Sequence, residues 1–148
     1  MKIRPAKTSD LPQWTEMRSA LWPKSKDDHP AELEQYFSGR SIDIVEALML
    51  ETNPGELAGF IELNIRSFAE GSRSARVPYI EAWFVRPEWR GNGYGKALLL
   101  RAEAWAIEKG FTELASDSEL DNQNSIAIHR HLGYTETERV VCFLKFLG

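Results

Sequence analysis

The chain has 148 residues, of which 43% are hydrophobic and 27% are charged. This composition is typical of a folded domain rather than of a disordered segment, and the length predicts one domain over residues 1–148. The formal net charge is -4, and no run of Lys and Arg is present that would follow a phosphate backbone. The sequence therefore argues against nucleic acid as a partner, whereas a mild acidic excess suits a cationic ligand.

The first ten residues lack the apolar core of a signal peptide, and no apolar stretch approaches the length of a membrane span. The single cysteine, Cys142, excludes an intrachain disulfide and agrees with a reducing compartment. These observations predict a cytoplasmic protein without a membrane partner.

The first half of the chain alternates helical and extended patterns. A short strand is predicted at 1–6, followed by a helix over 8–22 that ends at a proline and a shorter helix over 30–39 that ends in glycine. Two apolar runs, 42–51 and 57–66, flank the turn tetrad NPGE. They predict a hairpin whose strands are well buried.

The second half begins, after a polar loop, with a predicted strand over 77–85. A glycine-rich loop leads from it into a helix with an apolar face that runs to a terminating glycine. We expect a further strand at 111–116, a helix within 121–133 and a long final strand over 134–146. Antiparallel strands followed by crossovers indicate an α/β (α+β) domain built on a mixed sheet.

The glycine-rich loop has the sequence WRGNGYGKALL, residues 89–99. The first turn of a helix exposes unpaired backbone N–H groups and the positive end of the helix dipole, which together favour a phosphate group. The cations Arg90 and Lys96 strengthen that preference. The alternative is a tight turn that binds nothing.

The spacing of the glycines excludes two common phosphate-binding motifs. A P-loop needs four residues between its glycines and a Ser or Thr after the lysine, but three residues separate Gly91 from Gly95, and Ala97 follows Lys96. A dinucleotide fingerprint would need glycine where Lys96 stands.

Two separate motifs resemble those of the GNAT superfamily of acetyl-CoA-dependent N-acetyltransferases. The first is Arg-x-x-Gly-x-Gly at residues 90–95, and the second is Asn124-x-x-Ala127 followed by Leu-Gly-Tyr at 132–134. Within the superfamily, the stretches RSALWP, YIEAWFV, ASDSELDNQNS and GYTETERVV are similar to aminoglycoside 6′-N-acetyltransferases. The resemblance implies a mostly antiparallel central sheet flanked by helices, whose strands splay apart at the acetyl-CoA site. It also implies acetyl transfer to an amine, with an aminoglycoside as the first candidate acceptor.

The resemblance further implies which residues hold acetyl-CoA, as a co-substrate and without a metal ion. The backbone N–H of Val85 is the expected donor to the thioester carbonyl, where negative charge grows during the reaction. The residues expected at the cofactor are Phe84, Val85, Arg90, Gly91, Asn92, Gly93, Tyr94, Gly95, Lys96, Asn124, Ala127 and His129.

A polycationic amine must lose a proton before it attacks, so carboxylates near the acyl group are candidate bases and ammonium ligands. By resemblance, Glu81 is the first candidate for the base, acting through water, and Asp117 binds ammonium groups and shares the role. Glu138 is a further candidate for substrate binding, and the indole of Trp22 can present a flat face to a sugar ring. The alternatives are surface carboxylates without a role and, for the indole, a place in the core beside Trp14 and Trp105.

Three residues, His129, His131 and Cys142, bear on which catalytic mechanism the chain can use. Many GNAT enzymes have a tyrosine where this chain has His129, so the acid that protonates the leaving thiolate is left open. His129 and His131 lie on different faces of a helix, which argues against a metal site. Cys142 is expected to be buried in the apolar final strand, where thiols are inert, so direct transfer in a ternary complex is favoured over an acetyl-cysteine.

Other functions remain open at this point. The acceptor can instead be a protein N-terminus, a lysine or a polyamine, because a cofactor motif does not determine the second substrate. A non-catalytic module that binds acetyl-CoA is the third alternative. An exposed sheet edge such as the apolar final strand can pair across a dimer interface, and the resemblance implies a homodimer, because related aminoglycoside enzymes are often dimeric.

Overall fold

The computed structural model describes all 148 residues. Four antiparallel strands pair in chain order and form one sheet. No helix combines the length and the apolar character that crossing a membrane requires. In chain order the strands and helices are β1 (Lys2–Pro5), α1 (Leu11–Leu21), α2 (His29–Phe37), β2 (Glu46–Asn53), β3 (Glu56–Arg66), β4 (Val77–Val85), α3 (Tyr94–Glu108) and α4 (Gln123–His131).

Both faces of the sheet are covered, which explains why residues 47–50 of β2 and 57–61 of β3 form uninterrupted buried runs without polar side chains. On one face α3 contributes Leu98, Leu99 and Trp105, which pack against a cluster that includes Ile61 of β3. On the other face α1 and α2 pack against a second cluster. It includes Phe60, which directly precedes Ile61 on β3. The sequence prediction of a well-buried hairpin is confirmed.

The predicted strand at 111–116 is wrong. Only Ala115 pairs with the sheet, through one parallel bridge to Tyr79 of β4. The Ala115 N–H donates to the carbonyl of Pro78 and its carbonyl accepts from the N–H of Ile80, both at 2.9 Å. Beyond this bridge the chain leaves the sheet, so the outer edge of β4 towards Val85 has no neighbouring strand.

The predicted final strand over 134–146 is also wrong for the single chain. Beyond Tyr134 the backbone makes no backbone–backbone hydrogen bond, because the extended segment has no neighbouring strand on this copy. Phe143 and Phe146 are 92% and 85% exposed. Cys142, expected to be buried in this segment, is exposed. We call residues 135–148 the C-terminal tail.

A β-bulge in β4 determines the direction of Glu81. Glu62 and Leu63, which are adjacent on β3, pair with Ala82 and Ile80, so Glu81 is the extra residue on β4. Its carboxylate accepts hydrogen bonds from two side chains of β3, and it therefore lies on the same face of the sheet as α1 and α2.

A buried ion pair connects β3 to α1 on that face. The Glu62 side chain, 1% exposed, accepts a hydrogen bond from the Trp14 indole N–H at 2.9 Å and lies 3.0 Å from Nε of Arg18. Arg18 also donates to Glu32 at 2.7 Å. Burial raises the pKa of Glu62 to about 7, against the opposing effects of Arg18 and the indole donor.

We expect the Glu62→Gln variant to reveal this pKa through the pH dependence of stability. The folded-state pKa of Glu62 lies above the ordinary value of 4.5, so the folded protein binds more protons than the unfolded chain between these two values. Ionisation of Glu62 therefore lowers the wild-type free energy of unfolding as the pH rises across that interval. Gln does not titrate. Urea unfolding at about pH 5 and about pH 8 should show the wild type losing more than about 1 kcal/mol relative to the variant.

Glu88→Gln, at an exposed glutamate on the turn after β4, is the matched control and should keep a constant difference from the wild type. A pH-independent difference between the wild type and Glu62→Gln would contradict the assignment.

Candidate active site

The glycine loop forms an open main-chain cradle at the start of α3. Gly91 and Gly93 have φ values of 85° and 78°, in the left-handed region that favours glycine. The N–H groups of residues 91–96 donate no backbone–backbone hydrogen bond, and a Cβ atom added at either glycine would meet nothing within 4 Å. Free N–H groups on an open helix N-terminus fit the diphosphate of a nucleotide-linked carrier.

Side chains fasten this loop to the end of β4. The Trp83 indole N–H donates to the carbonyl of Gly95 at 3.0 Å, and Nε of Arg90 donates to the carbonyl of Val85 at 2.8 Å. The amide of Asn92 donates to the carbonyl of Trp89 at 3.0 Å. These hydrogen bonds therefore fix the conformation of the loop. The Lys96 side chain is exposed at the edge of the loop.

A cleft of about 140 Å³ opens beside β4, where the chain after Ala115 leaves the sheet. It is lined by the end of α1, by β4, by residues 116–119 and by α4. A second cavity of about 220 Å³, between the sheet and the first two helices, shares Trp22 and Glu81 with it. Four residues predicted from the sequence line the cleft: Trp22, Glu81, Asp117 and His129.

Glu81 already has a cation beside it. Nε and Nη2 of Arg66 donate to its two oxygens at 2.8 and 2.6 Å, and the amide of Asn64 donates at 2.9 Å. The Arg66 guanidinium also lies 3.6 Å from the centre of the Tyr79 ring. Neither β3 residue was predicted from the sequence, although polar side chains at alternate positions of a strand are a usable signal.

Asp117 is exposed, and a side chain of β4 holds its carboxylate. Its carboxylate accepts a hydrogen bond from the Tyr79 hydroxyl at 2.9 Å. Burial, together with the adjacent charge of Asp117, raises the pKa of Tyr79 well above its usual value. Tyr79 therefore remains a neutral donor that fixes the position of Asp117.

His129 faces the cleft from α4 and is bonded at both ring nitrogens. Nδ1 lies 2.7 Å from the carbonyl oxygen of Ser125, and Nε2 lies 2.9 Å from Oγ of Ser116. The ring packs edge-on against Trp83 and Tyr134. His131 is exposed, in agreement with the prediction that the two histidines lie on different faces of the helix.

The predicted site residues at the end of β4 and in the glycine loop, Phe84, Val85 and residues 90–96, line neither cavity. Three others also lie outside both cavities. Asn124 and Ala127 are exposed on α4, and Glu138 is exposed on the C-terminal tail. Trp14 and Trp105 are buried in the two core clusters, as predicted. The acidic groups that line the two cavities outnumber the basic ones, and this excess suits a cationic ligand. The acidic residues are Glu32, Asp43, Glu62, Glu81, Asp117 and Glu119, and the basic residue is Arg18.

Comparisons with known proteins agree with this geometry. The profile of the acetyltransferase (GNAT) family matches residues 11–134. The chain is 40% identical to an aminoglycoside N(6′)-acetyltransferase type 1 of Klebsiella aerogenes, over 97% of this chain and 95% of the relative. It is 37% identical to the enzyme of the same name from Acinetobacter baumannii, over the full length of both.

Solved structures give the same result. An aminoglycoside antibiotic 6′-N-acetyltransferase from Acinetobacter haemolyticus superposes with a TM-score of 0.88, at 34% identity and over 100% of both chains. The structure of AAC(6′)-Iy with the bisubstrate analogue CoA-S-monomethyl-acetylneamine has a TM-score of 0.87 and 32% identity, and the match covers 99% of this chain and 98% of that one. By its sequence and by its fold, the chain belongs to the acetyltransferase (GNAT) family.

Proposed function

We propose that this single domain, residues 1–148, transfers the acetyl group of acetyl-CoA to the 6′-amino group of an aminoglycoside, by direct attack in a ternary complex. The observation that carries the proposal is the acidic cleft beside β4, where Glu81 and Asp117 lie next to the strand that leads into the glycine loop. The relatives' names support the acceptor. The AAC(6′)-Iy complex supports it further, because its ligand combines CoA with an acetylneamine.

The proposed position of acetyl-CoA follows from the free main-chain groups. Its diphosphate lies on the N–H groups of residues 91–96, with Arg90 and Lys96 adding positive charge. Its pantetheine arm runs along the open edge of β4 past Phe84 and Val85, where peptide-like amides pair with strand-edge groups. The Val85 N–H is assigned to the thioester carbonyl. Side chains of α4, including Asn124, Ala127 and His129, border the arm.

The aminoglycoside is proposed to lie against Trp22 with its ammonium groups on Glu81 and Asp117. The indole is half-buried and borders both cavities, so a sugar ring can stack on it. Glu81 accepts three hydrogen bonds, which occupy most of its roughly four lone-pair sites. We therefore assign Glu81 to ammonium binding rather than to the role of base.

Two further assignments complete the proposal. The chain forms a homodimer in which the C-terminal tail, including Glu138, pairs with a second copy. The support is the tail itself, because its apolar side chains and its backbone N–H and C=O groups have no partner within one chain. The cytoplasm is the assigned compartment, and the support is the single cysteine, which agrees with a reducing environment.

The test of the activity is mass spectrometry of a kanamycin-type antibiotic, with a free 6′-amine, incubated with the protein and acetyl-CoA. One acetyl group is expected on the 6′-nitrogen. Gly93→Glu should weaken acetyl-CoA binding at least tenfold in calorimetry, since a carboxylate in the cradle repels the diphosphate and costs more than about 1.4 kcal/mol.

The matched control for the cradle is Gly110→Glu, at the other end of α3. Gly110 has a φ of 87° and the same open surroundings, so the two substitutions impose equal backbone strain. Equal acetyl-CoA affinities of the two variants would contradict the cradle. Acetylation of spermidine or basic peptides in preference to any aminoglycoside, with acetyl-CoA bound, would contradict the acceptor.

Arg66→Ala should lower the KM for the aminoglycoside several-fold and leave the KM for acetyl-CoA unchanged. The reason is that the substrate ammonium competes with the guanidinium for Glu81. Steady-state kinetics measure both constants. Arg73→Ala, which removes an exposed arginine from the loop before β4, is the control for net charge. A higher aminoglycoside KM in Arg66→Ala than in Arg73→Ala would refute the competition.

The dimer is tested by light scattering after size-exclusion chromatography. The wild type should elute as a dimer, and the double variant Phe143→Lys/Phe146→Lys as a monomer, because charges prevent burial of the tail. Ile107→Lys changes a side chain on α3 that is 69% exposed and should leave the dimer intact. A monomeric wild type, or a dimeric tail variant, would disprove the interface.

A further inference from the structure

We propose that Ser116 and His129 form a proton relay in which Ser116 takes a proton from the attacking amine and passes its own to His129. Ser116 is then a catalytic residue, and His129, which acts through it, is a positioning residue. The inference rests on the proposed function, because the relay needs an amine in the cleft.

The hydrogen bonds determine which ring nitrogen carries the proton. The carbonyl of Ser125 can only accept, so Nδ1 of His129, 2.7 Å away, must be the protonated nitrogen. The relay uses the neutral ring, in which Nε2 is the acceptor of the Ser116 hydroxyl proton, across 2.9 Å. A hydroxyl on a neutral imidazole, with the imidazole oriented by a third group, is the arrangement that makes a serine hydroxyl able to accept a proton.

Rigid elements hold both ends of this chain of hydrogen bonds. Ser116 directly follows Ala115, which the two 2.9 Å backbone hydrogen bonds fix against β4. The Asn122 side chain caps α4 by accepting from the N–H of Ser125 at 3.1 Å. The His129 ring packs edge-on against the rings of Trp83 and Tyr134. The hydroxyl is therefore presented to the cleft in a defined position.

The two carboxylates of the cleft are less suited to this task. Both oxygens of Glu81 bind Arg66, and Asp117 accepts the Tyr79 hydroxyl. The Ser116 oxygen uses its proton in bonding His129, which leaves its lone pairs for an incoming N–H donor. Ser116 and His129 line the same cleft as both carboxylates, so an ammonium held there lies beside the hydroxyl.

The proton balance of the reaction is complete with this relay. The ammonium loses its first proton to Ser116 while the hydroxyl proton of Ser116 moves to Nε2 of His129, and the neutral amine results. The amine forms the new C–N bond to the acyl carbon, and the C–S bond then breaks. The second proton leaves the nitrogen and ends on the CoA sulfur. The imidazolium returns its proton through Ser116 to solvent, which regenerates the starting state.

Steady-state kinetics of four variants test the relay. Ser116→Ala and His129→Ala should lower kcat by about 10²–10⁴, the usual contribution of general acid–base catalysis, with the aminoglycoside KM nearly unchanged. Ser116→Thr keeps the hydroxyl and should retain most of kcat. Ser74→Ala, at an exposed serine on the loop before β4, and His131→Ala, on the same helix as His129, are the matched controls and should behave as the wild type.

Chemical rescue distinguishes a relay from a structural role. Imidazole added to His129→Ala should restore part of kcat in a saturable manner and should have no effect on Ser116→Ala, which lacks the intervening hydroxyl.

Several results would overturn the relay. They are a kcat for Ser116→Ala equal to that of Ser74→Ala, a loss of acetyl-CoA affinity in place of kcat, or an acetylated Ser116 found by mass spectrometry. A wild type that transfers acetyl to no amine overturns both the relay and the proposed function. An active wild type with active relay variants overturns the relay alone. If another amine is the acceptor, the same variants are measured with that amine.

Discussion

The open outer edge of β4 is the constraint on which the site depends. Pairing with the segment after α3 stops at a single bridge between Tyr79 and Ala115. Had that segment continued as a strand, its backbone would have filled the space that now forms the cleft. The early divergence leaves edge groups of β4 unpaired and leads the chain into a polar loop that carries Ser116 and Asp117 to the cleft. The glycine loop continues from the same strand, so one edge presents groups for both substrates.

The electrostatics of the site depend on β3 and on the bulge opposite to it. Glu62, Asn64 and Arg66 project from one face of β3, and the bulge turns Glu81 towards that face. Glu62 and Glu81 are thus held by fixed partners, which offset their mutual repulsion. Each of these two carboxylates therefore has a defined geometry.

Local signals made much of the fold predictable. The glycine loop, the helix after it and the buried hairpin all depend on short-range features such as positive φ, helix periodicity and apolar runs. The segments 111–116 and 134–146 have strand-like composition, but a strand exists only where a neighbour supplies hydrogen bonds, and that neighbour lies far away in sequence. The errors were therefore non-local in origin.

The site was predictable to the same extent. Trp22, Glu81, Asp117 and His129 were accessible to sequence reasoning because motifs or strand ends mark them. The partners Asn64 and Arg66 depend on cross-strand register and on a bulge, neither of which the sequence specifies locally. The contact between Ser116 and His129 joins two segments separated by the polar loop, so only the folded chain reveals it.

The cradle before α3 has a consequence for how such a site can change over generations. The cradle binds through main-chain N–H groups. The two left-handed glycines at its centre have no neighbouring atoms where a side chain would begin. Main-chain donors are common to every amino acid except proline. Side chains around the loop can therefore drift widely without loss of the carrier, whereas the two left-handed positions favour glycine because other residues adopt that conformation at a cost.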